Sequence, residues 1–337
     1  MHPTSFTDDE VVESLVRDAS TAPSMHNAQP WRFRYRRADH SITLYAHFGR
    51  GMSQSDPQMR SLHVGCGAAL FNLRVAAQHA GFRPVTRLLP DPADPQTLAT
   101  VTLMDTGNST DPEVARLHSA IAERRKSHFP YAERPIPSPL VNLLVDQVRA
   151  EGARLAFISG WHLALVLDLI EQAELDSHRL GDPEEARLFR TGVTLEGTSP
   201  SGPHVVEGMS ESALGPAERD GRSPSRGSAR GSAEAGLRGQ SDARPVPHLG
   251  LIYTEQDRPA DWLAAGQAME RLLLVATREG LASSFATQAL ERTELRWLLR
   301  DPVWGTGPVQ TVIRLTYGPR GEPTQPRPTG DVLDIVP

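Results

Sequence analysis

One cysteine, one lysine and an aromatic content of 6% are the clearest shortages in this 337-residue chain, and no apolar run is long enough to span a bilayer. Each shortage closes a route. The lone Cys66 leaves no partner for an intrachain disulfide and no thiol cluster for a metal. Its neighbours Gly65, Gly67, Ala68 and Ala69 suit a small buried side chain better than a nucleophile. Lys126 is the sole lysine, so the basic residues are almost all arginine, a bias that genome composition produces and that by itself says nothing of phosphate binding. With 35 Lys+Arg against 41 Asp+Glu the formal net charge is −6, and the basic residues are scattered among acids, so neither nucleic acid nor a membrane is an expected partner. Residues 1–10 are acidic and lack the apolar core of a signal peptide, and a spanning helix needs roughly 20 apolar residues, so a cytoplasmic protein is expected. What is present is ordinary: 39% hydrophobic and 23% charged residues, enough chain for one large or two ordinary domains.

Residues 8–19 read as an amphipathic helix with Val11, Val12, Leu15 and Val16 inward, capped by Thr7 with Glu10 completing a capping box. Strands are expected at 31–35 and 42–46 across a polar turn. A long helix within 57–80 follows, with Cys66, Ala69, Leu70, Leu73, Ala77 and Ala80 inward and Gly81 as its stop. Strands at 84–89 and 98–104 close a first half, 1–110. The second half, 111–337, begins with a helix to Arg125, a turn through Tyr131, a helix at 139–150, a strand at 154–159 and a helix at 161–177. Residues 196–247 are rich in Gly, Ser, Pro and Arg and cannot bury enough surface to offset their ordering entropy, so they read as a flexible insertion and a lid candidate. Order resumes with a strand at 248–253, a helix at 261–279 and a strand at 309–316, and 317–337 read as an extended Pro-rich tail.

An offset of 199 residues places Gly67, Ala69, Leu73, Ala77 and Gly81 on Gly266, Ala268, Leu272, Ala276 and Gly280. Many packed helices share such spacing. The alternative is a duplicated α+β unit folded back as a fused pseudo-dimer, with mixed or antiparallel sheets and the two long helices at its centre.

Three segments could carry chemistry. The connection Thr21-Ala22-Pro23-Ser24-Met25-His26-Asn27-Ala28-Gln29-Pro30-Trp31 runs from helix to strand; its prolines stiffen it, and Ser24, Asn27 and Gln29 offer short polar arms, as a ligand loop or any tight turn would. Arg124-Arg125-Lys126-Ser127-His128 ends a helix and could grip a phosphate dianion or merely complement the helix dipole. Gly280 to Gln288 follows a helix, and its small residues would let backbone N–H groups approach a flat ligand, or simply connect helix to strand.

Pro23-Ser24-Met25-His26-Asn27-Ala28-Gln29-Pro30-Trp31 resembles the Pro-Ser-x-x-Asn-x-Gln-Pro-Trp loop of the flavin-dependent nitroreductase superfamily. Arg124 to Tyr131 resembles its Arg-Arg-Ser-x-Arg/Lys-x-Phe element, and residues 261–274 and 310–318 are similar to the core helix and terminal strand of the Acg-like branch. The resemblance implies an α+β nitroreductase fold. In that family the Arg-Arg-Ser element precedes the loop, and one FMN site draws the two from different subunits. Here the order is reversed and each occurs once, which implies one FMN site inside a single fused pseudo-dimer, its mirror site lacking both elements. Carried over, Pro23, Ser24, Met25, Asn27 and Gln29 would line the flavin, and Arg124, Arg125 and Ser127 would meet phosphate and ribityl. Thr287 and Gln288 would lie near the flavin N5, and Arg327 would be a second phosphate ligand. The chain departs from the pattern where Phe129 replaces a cation and where the tail reads Pro326-Arg327-Pro328 in place of Pro-Arg-Arg-Pro, so Lys126 or His128 would have to complete the anion clamp.

The implied function is an FMN-binding oxidoreductase working by ping-pong hydride transfer from NAD(P)H to a quinone, nitroaromatic or other small acceptor, with no catalytic side chain and no metal required. No Gly-x-Gly-x-x-Gly turn occurs, which fits a family that takes nicotinamide transiently over the flavin face. A flavin-sequestering or stress-related binding protein is the alternative, with 196–247 as its lid; a plain structural α+β domain is a third. The pseudo-dimer is expected as a monomer or as a homodimer.

Overall fold

The small-residue stripes of the helices that carry Gly67 and Gly266 meet face to face at the centre of the molecule. The computed structural model describes residues 8–51, 56–105, 111–124, 134–180, 248–286, 288–301, 307–318 and 326–337. The expected insertion at 196–247 and the turn through Tyr131 lie outside them.

Helix α1 (Asp9–Ala19) buries Val12, Leu15, Val16 and Ala19, and its cap is Asp8, whose carboxylate accepts the Glu10 N–H at 3.2 Å. Thr7, the expected cap, lies outside the described residues. Strand β1 (Trp31–Arg36) alternates buried and exposed residues, as a half-buried strand should, and pairs antiparallel with β2 (Ser41–Ala46). Then come α2 (Arg60–His79), β3 (Phe82–Leu88) and β4 (Thr97–Asp105). Two short helices, α3 (Pro112–Ala115) and α4 (His118–Glu123), stand where one was expected. They lead through α5 (Ser138–Ala150), β5 (Arg154–Phe157) and α6 (Gly160–Leu180) to β6 (His248–Tyr253) and α7 (Pro259–Arg278). The chain continues through β7 (Leu281–Phe285), α8 (Thr293–Leu298), β8 (Val309–Tyr317), α9 (Thr329–Val332) and β9 (Leu333–Val336).

The result is an α+β fold with two sheets. One has the order β3-β4-β2-β1-β9 and is mixed, because β9 runs parallel to β1; the other, β5-β6-β8-β7, is antiparallel. Setting β9 aside, the two sheets repeat one strand order, with α2 and α7 each following the second strand. Even their irregularities correspond: the register of β2 on β4 shifts between Leu44 and Tyr45, and that of β6 on β8 between Ile252 and Tyr253. Helices α2 and α7 are each followed by a glycine at positive φ, Gly81 at 92° and Gly280 at 75°, a backbone state that L side chains resist.

Helices α2 and α7 run side by side in the same sense, with His63 edge-on to Trp262 and Arg271 over the Phe71 ring. Between these pairs Gly67 and Gly266 bring the backbones together. A Cβ on Gly67 would fall on the Leu263 carbonyl oxygen and 3.0 Å from the Gly266 Cα, and one on Gly266 on the Val64 carbonyl oxygen and 2.9 Å from the Gly67 Cα. Farther along, Glu151 receives Arg74 at 2.5 Å and Arg271 at 2.7 Å, and Arg74 also donates to Gln267 at 2.7 Å, tying both helices to the end of α5.

Two expectations are corrected. The stretch from Leu281 is a buried strand; its Ser-rich sequence carries little β-propensity, and pairing with the apolar β8 decides its state. The Pro-rich tail does not stay extended to its end but closes as α9 and β9, because Leu333 and Ile335 pack against the core once β1 offers its free edge. The helix contact yields a prediction. Gly266→Ala should lose about 3 kcal/mol of stability by overpacking, measured by urea unfolding, whereas Gly330→Ala, where a Cβ meets open space, should stay within about 0.5 kcal/mol of the parent.

Candidate functional site

Residues 20–30, between α1 and β1, form a loop whose base is pinned and whose tip is strained. At the base the Thr21 hydroxyl donates to the Asp18 carbonyl at 2.7 Å, and Asn72 of α2 reaches both the Asp18 carbonyl and the Thr21 hydroxyl at 3.4 Å. Past Pro23 the chain makes one 3-10 turn, Met25–Asn27, closed by the Ser24 hydroxyl, which accepts the Gln29 N–H at 2.9 Å. Asn27 and Gln29 then adopt left-handed backbone at φ 55° and 46°. Asn tolerates this region, Gln much less, and such strain persists only where the surroundings over-determine it. The surroundings here are α2 and the strand ends. Gly65 lets Ser24 sit so close that a Cβ would lie 3.2 Å from its side chain, and the Pro30 carbonyl accepts the His47 N–H at 2.8 Å and the Cys66 thiol at 3.5 Å. Burial pushes the Cys66 thiol pKa up, so it is a packing residue and no nucleophile.

Gln29 is the loop's junction. Its Nε2 donates to Asn27 Oδ1 at 3.2 Å, its Oε1 accepts the Arg327 backbone N–H at 3.1 Å, and its carbonyl accepts Arg50 at 3.5 Å. Arg124, at the end of α4, donates from Nη2 to the Thr21 carbonyl at 2.8 Å and holds its Nε 3.5 Å from Glu270 of α7. The loop, Arg124 and the tail at Arg327 therefore converge. Pro23, Ser24 and Met25 are buried within the loop, while Asn27 and Arg327 are partly exposed. Arg125, Lys126, Ser127, His128 and Thr287 lie outside the described residues. Gln288 opens the 3-10 turn Gln288–Leu290.

A partly buried polar network at the start of α2 was not legible in the sequence. Arg60 donates to the Gln310 carbonyl at 2.7 Å; Gln310 in turn donates to Thr254 at 2.8 Å and to Asp257 at 3.2 Å. Asp257 also receives the Trp262 indole N–H at 2.6 Å and both Nη atoms of Arg296 at 2.7 and 2.8 Å. Burial, and then the neighbouring Arg296, lower the Arg60 pKa to about 10. Burial alone would raise the Asp257 carboxyl, but the bonds from Arg296, Trp262 and Gln310 outweigh it and hold it at about 2. Each of these residues sits singly at an element end, so no local spacing gave a signal. The network fixes α8, just beyond the Gln288 turn, onto β8 and the first turn of α2, about 7 Å along the helix from Gly65 and the loop.

One group here suits a polar, flat ligand. Asn27 Oδ1 is taken by Gln29, which leaves its Nδ2 as a donor at the loop's exposed tip. The indole N–H of Trp31, where the loop enters β1, is fully buried without an acceptor, a state that costs about 1–3 kcal/mol. Among the described residues no group of three or more His, Cys, Asp or Glu could hold a metal ion. Nor is any described helix long and apolar enough to cross a membrane.

A family model described as "Nitroreductase family" matches residues 2–77. A Mycobacterium tuberculosis protein named "Putative NAD(P)H nitroreductase Rv3131" is 30% identical over 338 residues, covering 99% of this chain and 93% of its own. Another from that organism, "Putative NAD(P)H nitroreductase acg", is 28% identical over 344 residues, covering 99% and 98%. A solved nitroreductase-like family protein from Bacillus cereus overlays 65% of this chain and 95% of its own at 13% identity and a TM-score of 0.37.

The Asp257 cluster gives the fold a pH signature. A carboxyl held at about 2 when folded, against an unfolded value near 4, stabilises fully above pH ~4 and loses that contribution as pH falls through 2. Allowing for its partial exposure, about 1 kcal/mol is at stake. Urea unfolding from pH 6 to 2 should show Asp257→Asn trailing the parent most above pH ~4 and approaching it in acid; a gap independent of pH would contradict the assignment.

Proposed function

The chain belongs to the nitroreductase family, and from that premise we propose that it is an FMN-dependent oxidoreductase, reduced by NAD(P)H and reoxidised by a quinone, nitroaromatic or other small acceptor. The observation that carries this reading is the loop at 20–30: a strained, pinned, polar connection that keeps the Asn27 amide at its tip. A loop held this way is pre-organised, so little ordering entropy is lost when a ligand arrives. When bound, FMN supplies the hydride chemistry, taking it from a nicotinamide and passing it on. The residues bind and orient. Asn27 and the backbone of 23–27 would line one edge, with Gln29 holding their shape from within. Arg125, Ser127 and the side chain of Arg327 would meet the phosphate end, and Thr287 and Gln288 would lie near the flavin N5. The apolar faces of Pro23 and Met25 keep water from the loop's inner side.

The internal duplication is part of the same proposal. The shared strand order, the corresponding register shifts and the Gly67–Gly266 contact at the 199-residue offset all favour a fused pair of units, 1–110 and 111–337, with β9 of the second completing the sheet of the first. The loop has no counterpart: α5 passes into β5 through residues 151–153 alone. One flavin per chain follows.

The purified protein should be yellow, carry one FMN per chain and bleach on anaerobic addition of NADPH or NADH. Ser24→Ala with Asn27→Ala should weaken FMN binding about 100-fold, one hydrogen bond being lost to the ligand and one to the Gln29 N–H that holds the loop's shape, with an unchanged circular dichroism spectrum. A folded protein that takes up no FMN would refute the proposal.

A further inference from the structure

Arg124 and Glu270 form a deeply buried ion pair, with side chains 4% and 0% exposed. A lone charge in that position would be strongly disfavoured, and the pairing offsets that cost. The guanidinium, however, does more than neutralise Glu270: it donates to the Thr21 carbonyl at 2.8 Å, at the base of the loop. The opposite end of α4 is fastened to the same place. His118 meets Asp18 at 2.8 Å while its ring lies flat on His79 of α2, centroids 3.9 Å apart. Helix α4 thus touches the loop base at both ends, and through Glu270 it leans on α7, one turn beyond Gly266.

We propose that Arg124 and Glu270 form a strut that sets the 20–30 loop from α7, making both of them positioning residues for the flavin loop and removing Arg124 from the phosphate ligands. The inference rests on the flavin reading above and revises one residue of the phosphate set that the family resemblance implied. Three features favour the strut. The charge of Arg124 is compensated by a fully buried carboxylate, so the pair presents a dipole, whose field falls off faster than that of a free cation. Its Nη2 is committed to a backbone carbonyl and points to the loop's anchored base, below the strained residues at its tip. The strain at Asn27 and Gln29 requires a fixed base, and Thr21 is the last residue before Pro23 that a helix side chain holds.

Paired binding assays separate the two roles. A phosphate ligand discriminates FMN from riboflavin, whereas a loop strut serves both. Arg124→Met combined with Glu270→Leu replaces the pair by apolar groups of similar volume and should leave the melting temperature within about 3 °C of the parent, as buried-pair replacements often do. Flavin affinity, read by fluorescence quenching, should fall about 10-fold or more for FMN and for riboflavin alike, and amide hydrogen exchange at 21–27 without flavin should quicken by a similar factor. Loss confined to FMN would overturn the strut and return Arg124 to the phosphate; unchanged affinities with unchanged exchange would also overturn it. Should the parent bind neither flavin, the flavin reading fails and exchange at 21–27 alone decides the strut. If the double variant does not fold, Glu270→Gln, which keeps the shape and removes the charge, is read in the same way.

Discussion

Everything in this molecule is arranged around two glycines that touch. At Gly67 and Gly266 the backbones of α2 and α7 approach so closely that a methyl group on either would occupy a carbonyl of the other helix. Close approach of this kind maximises dispersion contacts along the helix pair and leaves no room for adjustment. The two sheets hang from these helices, so their relative placement is fixed by a contact made of main chain rather than of side chains that could repack. The Arg60 network at one end and the Glu151 pairs at the other keep the helices in register, and their charges are satisfied across elements distant in sequence.

That rigidity is what the loop at 20–30 draws on. A left-handed Gln29 is an unfavourable local choice, held from within the loop by the Ser24 hydroxyl and from outside it by the Arg327 backbone and Arg50. Local strain is sustained by a frame whose own geometry is over-determined. The contributors come from the first helix, the central helix and the far C-terminal stretch, so the site is a property of the assembled fold and not of any contiguous segment.

The repeat of small residues at a 199-residue offset was readable because helix packing imposes a period that survives in the sequence, and the loop was readable because prolines and amides mark stiff turns. The strand at Leu281–Phe285 was hidden: Ala-Ser-Ser has no period-2 signature, and only its pairing with β8 makes it a strand. The tail was misjudged because its prolines dominate the composition while four residues, Leu333 to Val336, decide its fate. The burial of Arg124 against Glu270 was equally out of reach, since a cation at a helix end gives no local sign of a buried carboxylate 146 positions away. Local patterns report local constraints; the polar networks here are contacts at long range.

The parallel pairing of β9 with β1 has a consequence for how the molecule comes into being. Strand β1 is made early in synthesis and β9 after every other described element, so the sheet begun first is finished last. Until then β1 carries an open edge, with its backbone donors and acceptors exposed to pairing with other chains. The nascent protein must keep that edge protected through the making of the whole second sheet, and the segment that covers it also presents Arg327 to Gln29. Closure of the edge and completion of the loop's support are therefore late events of the same step, and a ribosome-bound chain lacking this segment would hold a nearly finished fold with an unfinished site.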